Sequence, residues 1–421
     1  MSSTNTNAVW HTMYPSEFAN ATSNPIRKIV DNIKLPQNPV KPIIRLSLGD
    51  PTVFGNLSCP DVLTDAIVRN AKSHNHNGYI HSAGTEAARA AIATRYGSAD
   101  APLTKDDIII ASGGSGALDI AITGMCNPGD NILIPRPAFS LYQVIADAHN
   151  IQVRYYDLLP EKNWEADLVG MASQIDSRTQ AILINNPSNP CGSVFSKEHL
   201  QAILTVAESH RVPIIADEIY GDMTYGGTTF FPIASLTKTV PVVSVSGLAK
   251  QFCVPGWRVG WIAVHDRNNI LQDIRTAYFK LSTIVLGANS LVQSAIPDIL
   301  TPAPGSADEA SLAKFKRDYY STLESNAQFT LDSLKTIPGL HVVVPQGAMY
   351  VMCGIDTALL ADIADDFDFT QKLLLEEGVF VLPGQCFNIP NFFRVVFSAP
   401  QDKLAEAYDR IRVFCQRHST K

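Results

Sequence analysis

The feature that most constrains the fold is a regular alternation of apolar and amphipathic segments between about residues 107 and 265. Short, continuous apolar runs such as residues 108–111 and 181–185 are typical of strands that are buried on both faces. Segments with helical periodicity, such as residues 116–125 and 197–209, separate these runs. The alternation predicts an α/β fold whose large sheet is mostly parallel and covered by helices on both faces.

A second, smaller domain is predicted from a change of pattern towards the C-terminus. Residues 306–336 form one long helical pattern, and short strand patterns with two helices follow Pro338-Gly339. This order is typical of an α+β domain that a linking helix joins to the large one. We expect an N-terminal arm with part of the small domain, a large domain, and a linking helix with the C-terminal small domain: residues 1–50, 51–310 and 311–421.

Charge and hydropathy exclude several classes of partner and location. The net charge is −7 without a basic run, which argues against nucleic acid or a membrane surface as the main partner. The sequence contains no apolar run of about 18 residues, so we expect no membrane span. The seven cysteines are odd in number and lack metal-ligand spacing, which predicts free thiols without disulfides or a metal site. The first 26 residues contain no Lys or Arg, so we expect no signal or transit peptide and a cytoplasmic protein.

A lysine and an arginine follow one of the apolar segments. Lys250 ends the motif Gly247-Leu248-Ala249-Lys250, and Arg258 comes eight residues later. A deprotonated lysine amine can bond covalently to a carbonyl cofactor, and the planar arginine fork matches a phosphate group. Taken alone, the pair is also compatible with a surface lysine and a structural arginine.

Two further segments carry groups suited to a flat, phosphorylated ligand. Gly113, Gly114 and Ser115 lie between a predicted strand and a predicted helix, where backbone amides can bind a phosphate. No Walker sequence follows them, so this signal is weak by itself. Phe139 follows the next strand, and its ring is suited either to stacking on a cofactor or to core packing.

Three polar residues come after the next two strands. Asn189 lies in the turn of residues 185–192, and its amide could bind a phenolate oxygen. Asp217 and Tyr220 follow the next apolar run. A buried carboxylate needs a partner, such as a protonated pyridine nitrogen, and Tyr220 offers a phenolic donor. An isolated acidic residue at this place is more often a helix cap.

Taken in order, these motifs resemble those of the subgroup I aminotransferases of pyridoxal 5′-phosphate (PLP) fold type I, and most closely the tyrosine aminotransferases. The resemblance covers nearly the whole chain. Its most specific markers are the following segments: Asn186-Pro187-Ser188-Asn189-Pro190-Cys191-Gly192, Asp217-Glu218-Ile219-Tyr220, Gly247-Leu248-Ala249-Lys250, Val254-Pro255-Gly256-Trp257-Arg258 and Gly347-Ala348-Met349-Tyr350. It implies a PLP enzyme with a large, mostly parallel-sheet domain and a smaller α+β domain.

The resemblance implies a role for each residue that would contact the cofactor ring. Lys250 would hold the cofactor covalently and move the proton during catalysis. Asp217 would pair with the ring nitrogen and keep it protonated, which lets the ring accept electrons. Asn189 and Tyr220 would bond the ring oxygen, and Phe139 would stack on the ring.

The resemblance also implies a phosphate site that two subunits share. Four residues would hold the phosphate within one chain: Gly113, Gly114, Ser115 and Arg258. Tyr79 would reach the phosphate of the other subunit's cofactor, so we expect a homodimer. One departure from the family is Gly247, because related enzymes often carry a phosphate-binding serine there. The neighbouring Ser246 is one residue out of place.

The resemblance also implies a substrate site, in which Arg394 would bind the α-carboxylate with help from Asn189 and the backbone of Gly49. Related aspartate enzymes clamp the side-chain carboxylate with a second arginine, but residues 281–287 contain none. A buried carboxylate without a partner is costly, whereas an aromatic ring gains burial. The pattern therefore favours aromatic substrates.

The implied function is PLP-dependent transamination of tyrosine, phenylalanine and tryptophan, with pyruvate or 2-oxoglutarate as the acceptor. The alternatives are an alanine-type or broad-range aminotransferase, a PLP-dependent lyase, and a binding or regulatory protein that does not use the cofactor for catalysis. Lys250 and Asp217 argue against the last of these. The resemblance further predicts that the Asn189-Pro190 peptide bond is cis, with Arg136-Pro137 as a second candidate, since a cis bond costs little only before proline.

Overall fold

The computed structural model describes residues 12–36 and 41–420. The strands of the described part are β1 (Ile44–Arg45), β2 (Ile108–Ser112), β3 (Asn131–Arg136), β4 (Gln152–Leu159), β5 (Glu165–Ala166), β6 (Thr179–Asn185), β7 (Ile214–Asp217), β8 (Val242–Gly247), β9 (Val259–His265), β10 (Leu340–Val342), β11 (Tyr350–Ile355), β12 (Val379–Phe380), β13 (Leu382–Pro383) and β14 (Phe392–Val396). The α-helices of the same part are α1 (Glu17–Ala21), α2 (Pro25–Val30), α3 (Asp61–Ser73), α4 (Glu86–Tyr96), α5 (Gly113–Thr123), α6 (Leu141–Ala148), α7 (Leu168–Ser173), α8 (Lys197–His210), α9 (Leu248–Gln251), α10 (Gln272–Ser282), α11 (Ser290–Gln293), α12 (Ile296–Leu300), α13 (Ala307–Leu334), α14 (Asp366–Glu377) and α15 (Gln401–Arg417).

The largest sheet contains eight strands in the order β2-β9-β8-β7-β6-β3-β4-β5. The five strands from β8 to β4 pair in parallel, which confirms the predicted fold class. β9 is antiparallel to both of its neighbours, β2 and β8. The connection from β8 to β9 is too short for the crossover that parallel pairing needs, so the chain turns back beside β8.

Helices cover both faces of this sheet, which explains why its central strands are almost entirely apolar. On one face, α5, α6 and α10 pack against the sheet in a single apolar cluster. On the other face there are two clusters. One joins α8 to β6 and β7, and the other joins α4 and α12 to β2 and β9.

The C-terminal region is built on a four-stranded sheet in the order β10-β11-β14-β13, in which neighbouring strands are antiparallel. The 28-residue helix α13 leads into it, and α13, α14 and α15 share its apolar cluster. β1 pairs in parallel with β12, and the Leu46 amide donates to the Phe380 carbonyl. The N-terminal segment therefore packs with the C-terminal region before it reaches the large sheet.

Several boundaries differ from the sequence prediction for local reasons. Helix α5 begins at Gly113 and not at residue 116, because Gly113 has a φ of +74° and turns the chain directly after β2. The apolar pattern of residues 379–382 predicts one strand, but the structure has two, β12 and β13, which belong to different sheets. The pattern of residues 42–48 also predicts a strand, but the structure has only the short β1 there, because the backbone after it turns towards the side chains of the candidate site.

The polar composition of residues 1–23 predicts an arm at the start of the N-terminal segment, and this arm lies partly outside the described residues. From residue 12 onward it contains α1, and the Phe18 ring contacts His149 edge-on, with ring centroids 5.1 Å apart. All seven cysteines carry free thiols. Within the described ranges, no helix is both long and apolar enough to cross a membrane.

Candidate active site

A cavity of about 300 Å³ lies at the carboxyl ends of the parallel strands, where the two main sheets face each other. Asn185 and Asp217, the last residues of β6 and β7, are in its lining. Tyr350 and Arg394 reach it from the four-stranded sheet. Ligands of open α/β sheets bind at this edge, so the cavity is the first candidate for the functional site.

Lys250 lies in the short helix α9, directly after β8, and its side chain is half-buried. Its Nζ donates a hydrogen bond to the Gly49 carbonyl of the N-terminal segment. The Tyr319 hydroxyl donates to the Lys250 carbonyl at 3.1 Å, which fixes the backbone of α9 against α13. The amine is therefore held inside the cavity, where it can act as a nucleophile towards a carbonyl group.

Asp217 ends β7 and is only 4% exposed. Burial raises the pKa of its carboxyl to about 6, although a hydrogen bond from Tyr142, the Ile219 amide and the charge of Lys250 oppose the rise. The Tyr142 hydroxyl donates to Oδ2 at 2.6 Å, and the Ile219 amide donates to Oδ1 at 3.2 Å. A carboxylate buried in this way stabilises a cation placed beside it.

Tyr142 is a site residue that the sequence analysis missed. It lies in α6, is fully buried, and lines the cavity together with Phe139. The two rings meet edge-on, with centroids 5.8 Å apart. The sequence gives no separate signal for it, because an aromatic residue in an amphipathic helix is typical of core packing.

A group of hydrogen-bond donors lies where β2 meets α5. Gly114 and Ser115, at the start of α5, line the cavity with Arg258. The Arg258 guanidinium packs against Gly113, where an added Cβ would lie 2.6 Å from its Nη2 atom. Gly113 therefore keeps the arginine close to the helix N-terminus. Backbone amides and a guanidinium in this arrangement suit a phosphate group.

Arg394 of β14 is a buried cation with an exposed fraction of 4%. It donates to Asn189 Oδ1 and to the Ser47 carbonyl, both at 2.7 Å, while its Nε has no partner among the described residues. Burial lowers the pKa of its guanidinium. The Cζ atom of Arg394 lies 4.6 Å from the centroid of the Tyr350 ring and 4.8 Å from that of the Phe387 ring. Since neutral groups surround it, Arg394 is suited to bind an anion.

Tyr220 and Tyr350 form a hydrogen-bonded pair between the two sheets. Their hydroxyls are 2.7 Å apart, and their rings meet edge-on. An added Cβ at Gly49 would lie 2.5 Å from the Tyr350 hydroxyl, so only glycine fits there. Tyr350 was recognised in a family marker but not as a site residue. Ile26 of α2 also lines the cavity and was missed.

The peptide-bond predictions are confirmed. Asn189-Pro190 and Arg136-Pro137 are both cis, and Asn186-Pro187 is a third cis bond that was not predicted. Asn189 follows β6, and its backbone amide donates a 2.7 Å hydrogen bond to Asn185 Oδ1. The turn brings the Asn189 side chain to Arg394.

Two residues discussed in the sequence analysis, Tyr79 and Ser246, lie away from the cavity. Tyr79 is 96% exposed and is absent from the lining, as a residue that serves another subunit would be. Ser246 lines a different cavity on the other side of β8. A side chain at Gly247 would meet the Val259 carbonyl at 2.8 Å and the Gly260 Cα at 2.9 Å. The close approach of β9 therefore leaves no room for a serine at position 247.

These residues fit pyridoxal 5′-phosphate. The donors around Arg258 suit its phosphate, the buried carboxylate of Asp217 suits a protonated ring nitrogen, and the Lys250 amine suits its aldehyde. The lining also offers Phe139 as a flat surface for the ring. In the described part of the chain, no group of three or more His, Cys, Asp or Glu residues is arranged to hold a metal ion.

Comparison with known proteins points to one family. The sequence model described as aminotransferase class I and II matches residues 41–411. A tyrosine aminotransferase of Dictyostelium discoideum is 48% identical over 408 residues, which cover 96% of this chain and 97% of that protein. A tyrosine aminotransferase of Mus musculus is 47% identical over 405 residues, which cover 96% of this chain and 87% of that protein.

Solved structures agree with these relatives. The structure of a tyrosine aminotransferase from Leishmania infantum matches with a TM-score of 0.92 and 36% identity, covering 98% of this chain and 100% of that one. An alanine aminotransferase from Pyrococcus furiosus matches with a TM-score of 0.87 and 30% identity, covering 96% of this chain and 100% of that one. The similarity therefore extends over both sheets.

Proposed function

The chain belongs to the family of class I and II aminotransferases, which depend on pyridoxal 5′-phosphate, and we propose that it moves the amino group of aromatic amino acids onto a 2-oxo acid. The proposed donors are tyrosine, phenylalanine and tryptophan, and the proposed acceptor is pyruvate or 2-oxoglutarate. The relatives named tyrosine aminotransferase, at 47% and 48% identity, support this substrate class over an alanine-type enzyme or a lyase.

The observation that carries the aromatic assignment is the charge of the cavity lining. Among the described residues that form it, the cations are Lys250, Arg258 and Arg394. The cofactor would engage Lys250 and Arg258, which leaves Arg394 for one carboxylate. The apolar and aromatic part of the lining supports an aromatic side chain, and it consists of Ile26, Leu48, Leu118, Phe139, Ile219, Tyr350 and Leu382 among others.

Bound PLP supplies the electron sink for this reaction. In our proposal the Lys250 amine takes the proton from the substrate Cα and returns it at the next stage, as a general base and then a general acid. Arg394 holds the α-carboxylate, with Asn189 and the backbone of Gly49 beside it. Asp217 stays charged and keeps the ring nitrogen protonated.

The remaining predicted site residues hold the cofactor in our proposal. Asn189 and Tyr220 bind the ring oxygen, and Phe139 packs on the ring. The phosphate is bound by the donors at the start of α5 and after β8: Gly113, Gly114, Ser115 and Arg258. Their position in or beside one cavity lining supports these roles.

We also propose a homodimer in which Tyr79 reaches the phosphate of the partner's cofactor. The high exposure of Tyr79, together with the exposed apolar residues Ile284, Val285 and Leu286, supports a surface that another subunit covers. We retain the division into residues 1–50, 51–310 and 311–421, which the separate sheets support. The seven free thiols support a cytoplasmic location.

A panel of amino donors tests the substrate assignment. We expect kcat/KM for tyrosine and phenylalanine to exceed that for aspartate and glutamate by at least about 100-fold, because a second buried carboxylate without a cationic partner loses several kcal/mol. Each donor is assayed with pyruvate, 2-oxoglutarate and oxaloacetate. A kcat/KM for aspartate equal to that for tyrosine would refute the aromatic assignment. Turnover of tyrosine without any 2-oxo acid would instead indicate a lyase.

Replacing Tyr142 with phenylalanine tests how Asp217 is kept charged. The Tyr142 hydroxyl donates to the charged carboxylate, so its removal is expected to raise the pKa of Asp217 further. Since protonated Asp217 cannot pair with a protonated ring nitrogen, PLP binding to the apoenzyme should weaken as the pH falls through about 6. In Tyr142→Phe this weakening should begin at higher pH, with affinity near pH 7 reduced by about tenfold.

The control for this experiment is Tyr155→Phe. Tyr155 lies on β4 and bonds Gln143 and Asn388, outside the cavity lining. The dissociation constant of PLP is measured between pH 5 and 8 for both variants and the original protein. If the two variants show the same pH dependence, Tyr142 does not act through the ionisation of Asp217.

A further inference from the structure

A second cavity, of about 330 Å³, lies on the face of the eight-stranded sheet that does not carry α5 and α6. The two apolar clusters on this face leave a space between them, next to β8 and β9. The described residues that line this cavity are all different from those that line the active site. Any molecule bound here would therefore occupy a site separate from that of the substrate and the cofactor.

The floor of the second cavity carries polar side chains where a central strand is usually apolar. Ser244 and Ser246 alternate along β8 with valines that face the opposite apolar cluster. The hydroxyls of both serines and Nδ1 of His265, at the end of β9, are buried without a hydrogen-bond partner within the described ranges. An unpaired buried polar group is destabilising, so these groups are available to a bound molecule that satisfies them.

The ionisable groups of this cavity are neutral or paired at pH 7. Burial raises the pKa of Glu218 to about 8, although a hydrogen bond from the Ile233 amide opposes the rise. Burial lowers the pKa of His265 to about 4. At the rim, Arg95 and Asp222 form an ion pair at 2.6 Å. A ligand with a net charge would find no free counter-charge in this lining, which favours an uncharged one.

The walls of the cavity are aromatic. Tyr96 and Trp261 lie on one side with ring centroids 5.5 Å apart, and Phe230 lies in the same lining. Flat aromatic rings pack favourably against such walls. We propose that this cavity binds a small, uncharged, planar aromatic molecule whose amide or hydroxyl group bonds Ser244, Ser246 and His265.

Benzamide is the probe, because it is neutral and planar, carries an amide, and has no amino group for transfer. Crystals of the PLP-bound enzyme are soaked with benzamide, and its affinity is measured by calorimetry. We expect the ring beside Trp261 and the amide within hydrogen-bond distance of Ser244 and Ser246. Loss of one hydrogen bond in Ser244→Ala should weaken binding by about fivefold.

Two further variants make the test specific. Ala263→Leu fills part of the cavity, and Ser235→Trp blocks its rim, so each should weaken benzamide binding by at least about tenfold. Transaminase kcat/KM should stay within about twofold of the original value in both, because neither residue lines the active site. Ser193→Ala is the matched control, since it removes another buried hydroxyl without a partner in the described part and should leave the affinity unchanged.

Three results would overturn the proposal. One is a soaked structure in which only ordered water bonds Ser244, Ser246 and His265. Another is benzamide found in the active-site cavity alone. The third is an affinity that Ala263→Leu and Ser235→Trp leave unchanged, because the probe would then bind elsewhere. None of these results bears on the transamination, so the proposed function is tested separately.

Discussion

Replacing Lys250 with alanine is expected to lower kcat for transamination by about 10⁴-fold or more. The change removes both a covalent attachment point and a general acid–base group, and the acid–base role alone contributes about 10²–10⁴-fold. The Lys250 amine lies in the cavity lining and donates a hydrogen bond to the Gly49 carbonyl, so it is placed to act on a group bound there. Single-turnover and steady-state assays with tyrosine measure the loss.

A spectroscopic result separates this role from a structural one. In the original enzyme, borohydride should abolish the visible absorbance of bound PLP and attach the cofactor permanently to the chain. In Lys250→Ala the cofactor should still bind through the phosphate donors, yet dialysis should remove it even after borohydride treatment. Lys316→Ala is the matched control, because Lys316 is also half-buried but contacts Phe252 outside the cavity. Activity of Lys250→Ala close to that of this control would refute the assignment.

Much of the large domain could be predicted from sequence because of how a parallel sheet is buried. Each central strand is covered on both faces, so it must be continuously apolar, and such runs are visible without a structure. The functional side chains then follow strand ends: Asp217 directly ends β7, and Lys250 comes three residues after β8. Because these strands are parallel, their carboxyl ends lie at one edge, and the motifs were expected to meet there.

The residues that sequence analysis missed come from separate parts of the chain. Tyr350 belongs to the four-stranded sheet and Ile26 to the N-terminal helix α2, yet both line the active-site cavity. No local pattern encodes how these elements pack on the large sheet. Tyr142 reads as an ordinary core residue of an amphipathic helix, and only its 2.6 Å bond to Asp217 shows its role.

The role of Ser246 depends on which face of β8 its side chain occupies. Ser246 is one residue from the position where related enzymes carry a phosphate-binding serine, but side chains alternate between the two faces of a strand. Its hydroxyl therefore lies on the other face, in the second cavity. The register of β8 with β9, which pairs Gly247 with Gly260, is a tertiary feature and explains why position 247 is glycine.

Replacing Asp217 with asparagine is expected to lower kcat/KM by about 10²–10⁴-fold. Breaking a buried ion pair by removing one charge costs about 3–5 kcal/mol, and each 1.36 kcal/mol corresponds to about tenfold in rate. Asparagine keeps the size of the side chain: its Oδ1 can accept from the Ile219 amide, and its Nδ2 can donate to the Tyr142 hydroxyl, which then acts as the acceptor. The loss would therefore report the missing charge and not a disrupted fold. The measurement is kcat/KM for tyrosine, with the thermal midpoint of unfolding as a check on folding.

Glu218→Gln provides the sharpest control, because it makes the same chemical change at the next residue. Glu218 is buried as well, but burial raises the pKa of its carboxyl to about 8, so it is mostly protonated at pH 7. Glutamine then replaces one neutral group with another and keeps an oxygen for the Ile233 amide. We expect kcat/KM within about threefold of the original value, which is a difference below 1 kcal/mol. If both variants lost activity equally, the charge of Asp217 would not explain its effect; if neither did, the ring nitrogen would not depend on Asp217 at all.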